Sequence, residues 1–364
     1  MPYIVLTGIM CIGYIHELTG AGEMAEYKDL KSRLDQGDTI IHDAAVSTEL
    51  HSMGVPMDFV AWSGPSNYTH PSSIIQMHER QINSGADIIT TNTWSTLRPT
   101  LERAGYGDFV REINARAVHL AQEARQRASV DRSIYVAGSL SSNITGRDPR
   151  TGEMGFQAFS STPGVSAEEL RDHYGEVTSI MAEAGVDFFI VEAMGRDNEA
   201  RIIQAEAAKE TGLPVWVGFN AHVGSNNSVM LGGQQNPTHV AEGKKYPGAR
   251  NLRDDMTLSE AIREVIPVGP DVISIFHSRI ENANRAVEVA IKEWSGPLMA
   301  YPDAGATDSL IKWRDLTKSN EESIEEYIDA AQNWVNQGVQ IVGTCCGFGT
   351  EYIKPLREAI PAKV

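Results

Sequence analysis

Eight short apolar runs recur along this chain, and stretches of helical periodicity separate them. The runs fall at 39–42, 87–91, 134–137, 187–191, 214–218, 271–275, 297–300 and 340–342. Between them, residues 71–84, 109–128, 166–184, 199–211, 258–265, 283–294 and 323–337 place apolar residues on one helical face. Strands that alternate with helices pair in parallel, because a parallel connection needs a crossover of a dozen residues or more. Eight such units predict an α/β protein closed into a (β/α)8 barrel, the TIM-barrel architecture. An open doubly wound sheet is the alternative, but no GxGxxG follows the first run. Three helix-to-strand joints share a pattern: SGAD at 84–87, AGVD at 184–187 and QGVQ at 337–340. Glycine suits the left-handed end of a helix, so the recurrence reads as the grammar of a barrel.

The chain has 364 residues, 41% of them hydrophobic, which is enough for one large core. The expected organisation is a single barrel domain over 38–364, preceded by an N-terminal extension and lead-in helix over 1–37. Residues 25–36 form that helix, with Tyr27, Leu30 and Leu34 on one face. The first ten residues are apolar but lack a basic flank and are too short to span a bilayer, so they read as neither signal peptide nor anchor. Met24 is a candidate start. Three cysteines make no disulfide framework, which points to a reducing, cytoplasmic setting. A formal charge of -17 without any Lys/Arg-rich run argues against nucleic acid or an anionic membrane as partner. Two long irregular segments, 143–163 and 224–254, follow strands and would lie over the C-terminal mouth. Loops of that length serve as lids, as binding loops or as contacts in a homo-oligomer.

The chemistry of the chain concentrates in two adjacent cysteines, Cys345 and Cys346, within VGTCCGFGTEYI. A vicinal pair does not easily close a disulfide on itself, because the eight-membered ring strains the peptide. Two thiolates at a strand end can instead grip one soft metal ion such as zinc. The competing reading is a pair of small core residues, since free cysteine is often buried. The glycines at 343 and 347 and the strand-end position favour the metal.

In barrels of this kind the chemistry sits at the C-terminal strand ends. Those ends carry Asp43, Thr91, Asn92, Thr93, Ser139, Ser141, Glu192, Asn220, His222, His277, Tyr301 and Asp303. His277 is the first choice for a third metal ligand, and His222 and His42 compete with it. Two thiolates and one neutral imidazole leave a fourth position of a zinc ion open to substrate. Asp43 and Glu192 bring negative charge to the same mouth and suit an ammonium group.

The ordered motifs resemble the homocysteine S-methyltransferase family. HDAAVSTEL at 42–50 is similar to that family's DGxxxTEL opening, with Ala44 where the family has glycine. HPSSIIQMHERQINSGADIITTNTW at 70–94, FFIVEAMGRDNEA at 188–200, SIFHSRIENANRAV, MAYPDAG and IVGTCCGFGTEYI resemble its later segments. The likeness runs from about residue 38 onward. It implies a (β/α)8 barrel holding one catalytic zinc ion, Zn2+. The family uses three cysteines as ligands; the vicinal pair matches Cys345 and Cys346, and the remaining one falls on His277.

The same resemblance implies that Asp43 and Glu192 hold the amino group of homocysteine. Backbone amides near Ala45 and Val46 would hold its carboxylate, with Asn220 and Tyr301 also in the substrate site. A thiol with a pKa of about 8.5 is mostly protonated at neutral pH, and only its thiolate is a good nucleophile. Zinc coordination deprotonates it. The implied reaction is methyl transfer from an onium donor to homocysteine, giving methionine. A sulfonium or betaine donor fits equally well. The readings that compete with it are a methyltransferase or demethylase for another thiol or donor, and a binding barrel without catalysis.

Overall fold

The structure is a computed structural model and describes residues 26–58, 60–141, 146–147, 154–155, 166–232, 255–304 and 323–362. Eight parallel strands form one sheet: β1 (Ile40–Ile41), β2 (Ile88–Thr90), β3 (Tyr135–Ser141), β4 (Phe188–Glu192), β5 (Val215–Phe219), β6 (Val272–Phe276), β7 (Leu298–Tyr301) and β8 (Ile341–Val342). Their hydrogen-bonded order runs β1-β8-β7-β6-β5-β4-β3-β2. A parallel bridge between His42 and Ile88 joins the two ends of that ladder. The sheet is therefore a (β/α)8 barrel, as the periodicity predicts, and each predicted run contains or overlaps one strand.

Ahead of the barrel lies α1 (Tyr27–Asp35), and α2 (Val46–Ser52) follows β1. The outer ring is built from α3 (Pro71–Ser84), α4 (Val110–Arg127), α5 (Ala167–Ala184), α6 (Asn198–Lys209), α7 (Leu258–Val265), α8 (Ile280–Glu293) and α9 (Ile324–Asn336), with α10 (Ile353–Ala359) last. Local sequence sets several of the helix starts. Ser166, Thr257 and Ser323 each accept the N–H of a glutamate three residues on, and that glutamate bonds back to the cap.

Side chains alternate between two environments along each strand, as the pleat demands. Ile40, Ile88, Tyr135, Ala137, Phe188, Ile190, Trp216, Val272, Phe276, Met299, Tyr301 and Ile341 pack together inside the barrel. Their neighbours Ile41, Phe189, Val217, Ile273, Ala300 and Val342 pack in the outer layer with helical residues such as Tyr174 and Trp334. Leu30 and Leu34 of α1 join the inner set, and Trp216 Nε1 donates to the Tyr27 hydroxyl at 2.9 Å. These contacts involve the early residues of the strands, so α1 stops the N-terminal end of the barrel. Chemistry is left to the opposite end.

Two of the recurring joints, and the residue just before β6, carry a carboxylate with a structural task. Asp87 accepts the N–H of Ile41 at 2.9 Å, Asp187 that of Val136 at 2.6 Å, and Asp271 that of Val215 at 2.8 Å. Each is also matched by a cation: Arg357 for Asp87, Arg125 for Asp187 and Lys209 for Asp271. In QGVQ, Gln340 instead donates to the carbonyl of Leu34.

The segment read as one irregular loop from 224 contains structure. Residues Ala221–Val223 pair antiparallel with Val229–Leu231, and Asn227 takes the left-handed turn position at φ 64°. In the other long segment, Gly146–Arg147 pairs with Met154–Gly155. Most of 143–163, all of 233–254, and residues 1–25 lie outside the described residues. No helix among the described residues is long and apolar enough to cross a membrane.

Candidate metal centre and acceptor site

At the C-terminal end of the barrel, His277 Nδ1 lies 3.6 Å from Cys345 Sγ, and Cys345 Sγ lies 3.7 Å from Cys346 Sγ. All three donor atoms fall within 4.8 Å of one another. A tetrahedral zinc ion with bonds of about 2.3 Å to sulfur and about 2.0–2.1 Å to nitrogen has sulfur–sulfur edges of about 3.8 Å and sulfur–nitrogen edges of about 3.6 Å. The two short separations match those edges, so the donor set fits the metal. His42 and His222 do not belong to this cluster.

The main chain fixes the cysteine pair from both sides. Cys345 N donates to Pro302 O at 2.8 Å, Ala304 N to Cys346 O at 2.9 Å, and Thr344 N to Asp43 O at 3.2 Å. Strict alternation would send His277 outward, because Phe276 before it faces the interior. His277 instead has φ 42°, and this left-handed step breaks the alternation. Such a backbone is costly for a residue with a side chain and is found where function requires it. Asp303 Oδ2 stands 3.9 Å from His277 Nδ1.

The charges of the cluster interlock. A hydrogen bond with Cys346 and then the neighbouring His277 draw Cys345 down to about 5. Cys346 is pushed well up by the same pairing and by burial. Burial works to lower His277, but Cys345 and Asp303 outweigh it and bring the imidazole to about 9. Glu192 is raised to about 7, chiefly by burial and then by the charge of Cys345.

Two carboxylates share the interior beside this cluster. Glu192 accepts from the Ser139 hydroxyl, and its other oxygen from the Tyr301 hydroxyl at 3.2 Å. Asp43 is 1% exposed and accepts the Thr90 N–H at 2.6 Å and the Thr90 hydroxyl at 3.1 Å. Burial raises Asp43 well above the ordinary carboxylate range, and the bonds from Thr90 oppose that shift. Asn220 has a scaffold contact: its Oδ1 accepts Gly195 N at 3.1 Å, on the loop that follows Glu192. Ala45 precedes α2, and its N–H reaches Phe348 O at 3.4 Å; Val46 opens that helix. His222 Nδ1 is 2.7 Å from Gly232 O, within the extra hairpin.

Thr90 is absent from the sequence-based candidates, which take Thr91, Asn92 and Thr93 instead. Those three build the rim. Asn92 bonds Ser63, Ser66 and Asn67, while Thr91 and Thr93 bond each other at 2.8 Å. Counting by twos from the inward Ile88 would have pointed to Thr90.

A family model described as homocysteine S-methyltransferase matches residues 40–360. The chain belongs to the homocysteine S-methyltransferase family. Family membership makes it an S-methyltransferase, hence an enzyme. It is 25% identical over 348 residues to a selenocysteine methyltransferase of Astragalus bisulcatus, covering 89% of this chain and 93% of that one. It is 24% identical over 355 residues to homocysteine S-methyltransferase 2 of Arabidopsis thaliana, covering 92% and 97%. Among solved structures, the metallated form of the homocysteine methyltransferase MmuM from Escherichia coli superposes with a TM-score of 0.66 at 18% identity, covering 90% of this chain and 99% of that one. That last likeness bears on the fold, and it agrees with the barrel described above.

Proposed function

We propose that this member of the family transfers a methyl group from an onium donor to the thiol of homocysteine and releases methionine. The observation that carries the reading is the set of two thiols and an imidazole at tetrahedral-edge spacing, beside the buried carboxylate of Asp43 and the half-buried one of Glu192. Cys345, Cys346 and His277 would hold one zinc ion. When bound, the ion supplies the Lewis acidity that keeps an acceptor sulfur deprotonated at neutral pH.

The chain's own residues supply the rest. Glu192 and Asp43 bind the acceptor's ammonium group, whose charge favours the ionised carboxylates over the neutral forms that burial promotes. Tyr301 and Ser139 hold Glu192 in place by donating to its two oxygens. The Ala45–Val46 turn at the start of α2 takes the carboxylate end. With the amino acid fixed at both ends, its sulfur presents one lone pair in line with the donor's methyl group, the geometry that displacement needs.

The test is metal analysis of the purified protein together with turnover of homocysteine against sulfonium and betaine donors. Stoichiometric zinc that falls in the Cys345→Ala, Cys346→Ala and His277→Ala variants is expected. A protein that binds no zinc and methylates no thiol with any donor would be a binding barrel. The relatives named selenocysteine methyltransferase recommend a selenol as a second acceptor in the same assay.

A further inference from the structure

His42 enters the structure in a place that neither the metal cluster nor the carboxylates account for. It is 3% exposed and follows β1, with its N–H on Val342 O at 2.8 Å and its bridge to Ile88 on the other side. By alternation from Ile40 its side chain points into the barrel. There the ring touches three parts of the site at once. Nε2 lies 2.8 Å from the Thr90 hydroxyl and 3.2 Å from Asp43 Oδ1. The ring centre is 5.0 Å from that of Tyr301, the donor to Glu192. Its Cβ and Nδ1 fill the space over Gly343, where an added Cβ would meet them at 2.6 and 2.9 Å. Gly343 is the root of the turn that carries Cys345 and Cys346.

We infer that His42 is a positioning residue, whose Nε2–H, relayed through the Thr90 hydroxyl, locks the Asp43 carboxylate in the orientation that receives the acceptor's ammonium group. The inference rests on the proposed acceptor reading and adds a residue to it. The bond directions are consistent along the chain of groups. Thr90 donates to Asp43 Oδ1, so its oxygen is left to accept, and the imidazole must donate. That fixes the proton on Nε2 and leaves Nδ1 as a bare acceptor. Nδ1 indeed has no hydrogen-bonding partner among the described residues. A buried ring nitrogen without a partner is a cost that an apolar residue here would avoid. The arrangement is explained by what Nε2 does, and burial, opposed by the Asp43 main chain, lowers the imidazole to about 3 and so favours the neutral ring.

The experiment compares homocysteine with the same thiol acid lacking its amino group, in wild type, His42→Leu and His42→Gln, each with full zinc. In His42→Leu the KM for homocysteine should rise about tenfold or more, since a bond that orients a charged group is lost. The KM for the deaminated acceptor and for the donor should stay near wild type. His42→Gln, which keeps an N–H near the position of Nε2, should recover most of the loss. An equal penalty on both acceptors, or no recovery in His42→Gln, would reduce His42 to packing. Nitrogen-15 spectra of the wild-type protein provide a check that needs no variant. They should show His42 protonated at Nε2 and bare at Nδ1 from pH 6 to 9, and the opposite tautomer overturns the inference. If wild type itself does not discriminate between the two acceptors, the acceptor reading has failed. If it discriminates and His42→Leu discriminates equally, only the role of His42 has.

Discussion

Asp87 closes the barrel against Ile41: its Oδ2 accepts the Ile41 N–H at 2.9 Å, and its own N–H donates to Ile41 O at 2.7 Å. At this seam β1 and β2 share a single bridge, so a side chain does the work of a strand partner. Arg357 donates to the same carboxylate, and Arg33 and Arg132 stand 3.7 and 3.4 Å away. Asp87→Ala leaves the Ile41 N–H without its acceptor and Arg357 and Arg132 without their anion, while Arg33 keeps Asp38 at 2.8 Å. Removing one partner of a buried pair costs about 3–5 kcal/mol. Asp87→Asn keeps an oxygen for Ile41 and should lose less. Urea unfolding of the two variants checks the order; equal losses would assign the whole effect to charge.

Much of this design is open to a reader of the sequence, for identifiable reasons. The barrel shows itself because Ile88, Ile190 and Val272 must alternate with outward neighbours, and because Ser323 and Glu326 advertise a helix start. Cys345 and Cys346 are conspicuous because adjacent thiols in a glycine frame have few other uses. Residues whose task depends on a neighbour brought from afar are silent. Asp87 reads as a joint residue until Ile41 is seen beside it. Thr90 reads as part of an apolar strand until Asp43 arrives. The hairpin over 221–231 was hidden because its strands are three residues each and its turn is polar. The inward swing of His277 depends on a positive φ that no pattern of residue types announces.

His78 should govern part of the acid sensitivity of the fold. It lies on the buried face of α3, 0% exposed, and burial lowers it from 6.5 to about 4. The unfolded chain therefore takes up a proton below pH 6.5 that the folded protein refuses until about pH 4. Stability from this group is complete above that window and is lost as pH falls through it. At about 1.4 kcal/mol per unit, the loss reaches about 3 kcal/mol. In His78→Met the fall in unfolding free energy between pH 7 and pH 4 should be shallower by that amount. Parallel curves for the two proteins would show that the imidazole is not held neutral.

Gly343 and His42 should prove coupled. An alanine Cβ at 343 would sit 2.6 Å from His42 Cβ, a distance that real side chains do not share. His42 is anchored on both sides by the sheet, so the strand carrying the cysteines must give way. Overpacking of this kind costs about 1–3 kcal/mol. Gly343→Ala should lower both stability and bound zinc. Trimming the ring alone leaves the two Cβ atoms in collision, so Gly343→Ala with His42→Gly is the informative double variant. Its cost should be smaller than the sum of the single costs. Strict additivity in urea unfolding would separate the two positions.

The backbone at 277 offers a way to separate metal binding from fold. A φ of 42° costs a residue with a side chain about 1–3 kcal/mol, and asparagine tolerates it better than others. His277→Asn should remove the imidazole ligand while leaving the zinc-free protein about as stable as wild type. His277→Val removes the same ligand but adds a β-branched side chain that resists positive φ. Both variants should lose zinc, and only the valine variant should lose a further 1–2 kcal/mol or so in the zinc-free state. Chelated protein unfolded in urea gives the second quantity, and metal analysis of the untreated protein gives the first. If valine is as stable as asparagine, the turn at 277 relaxes once the ring is gone, and the imidazole itself holds the backbone in its left-handed step.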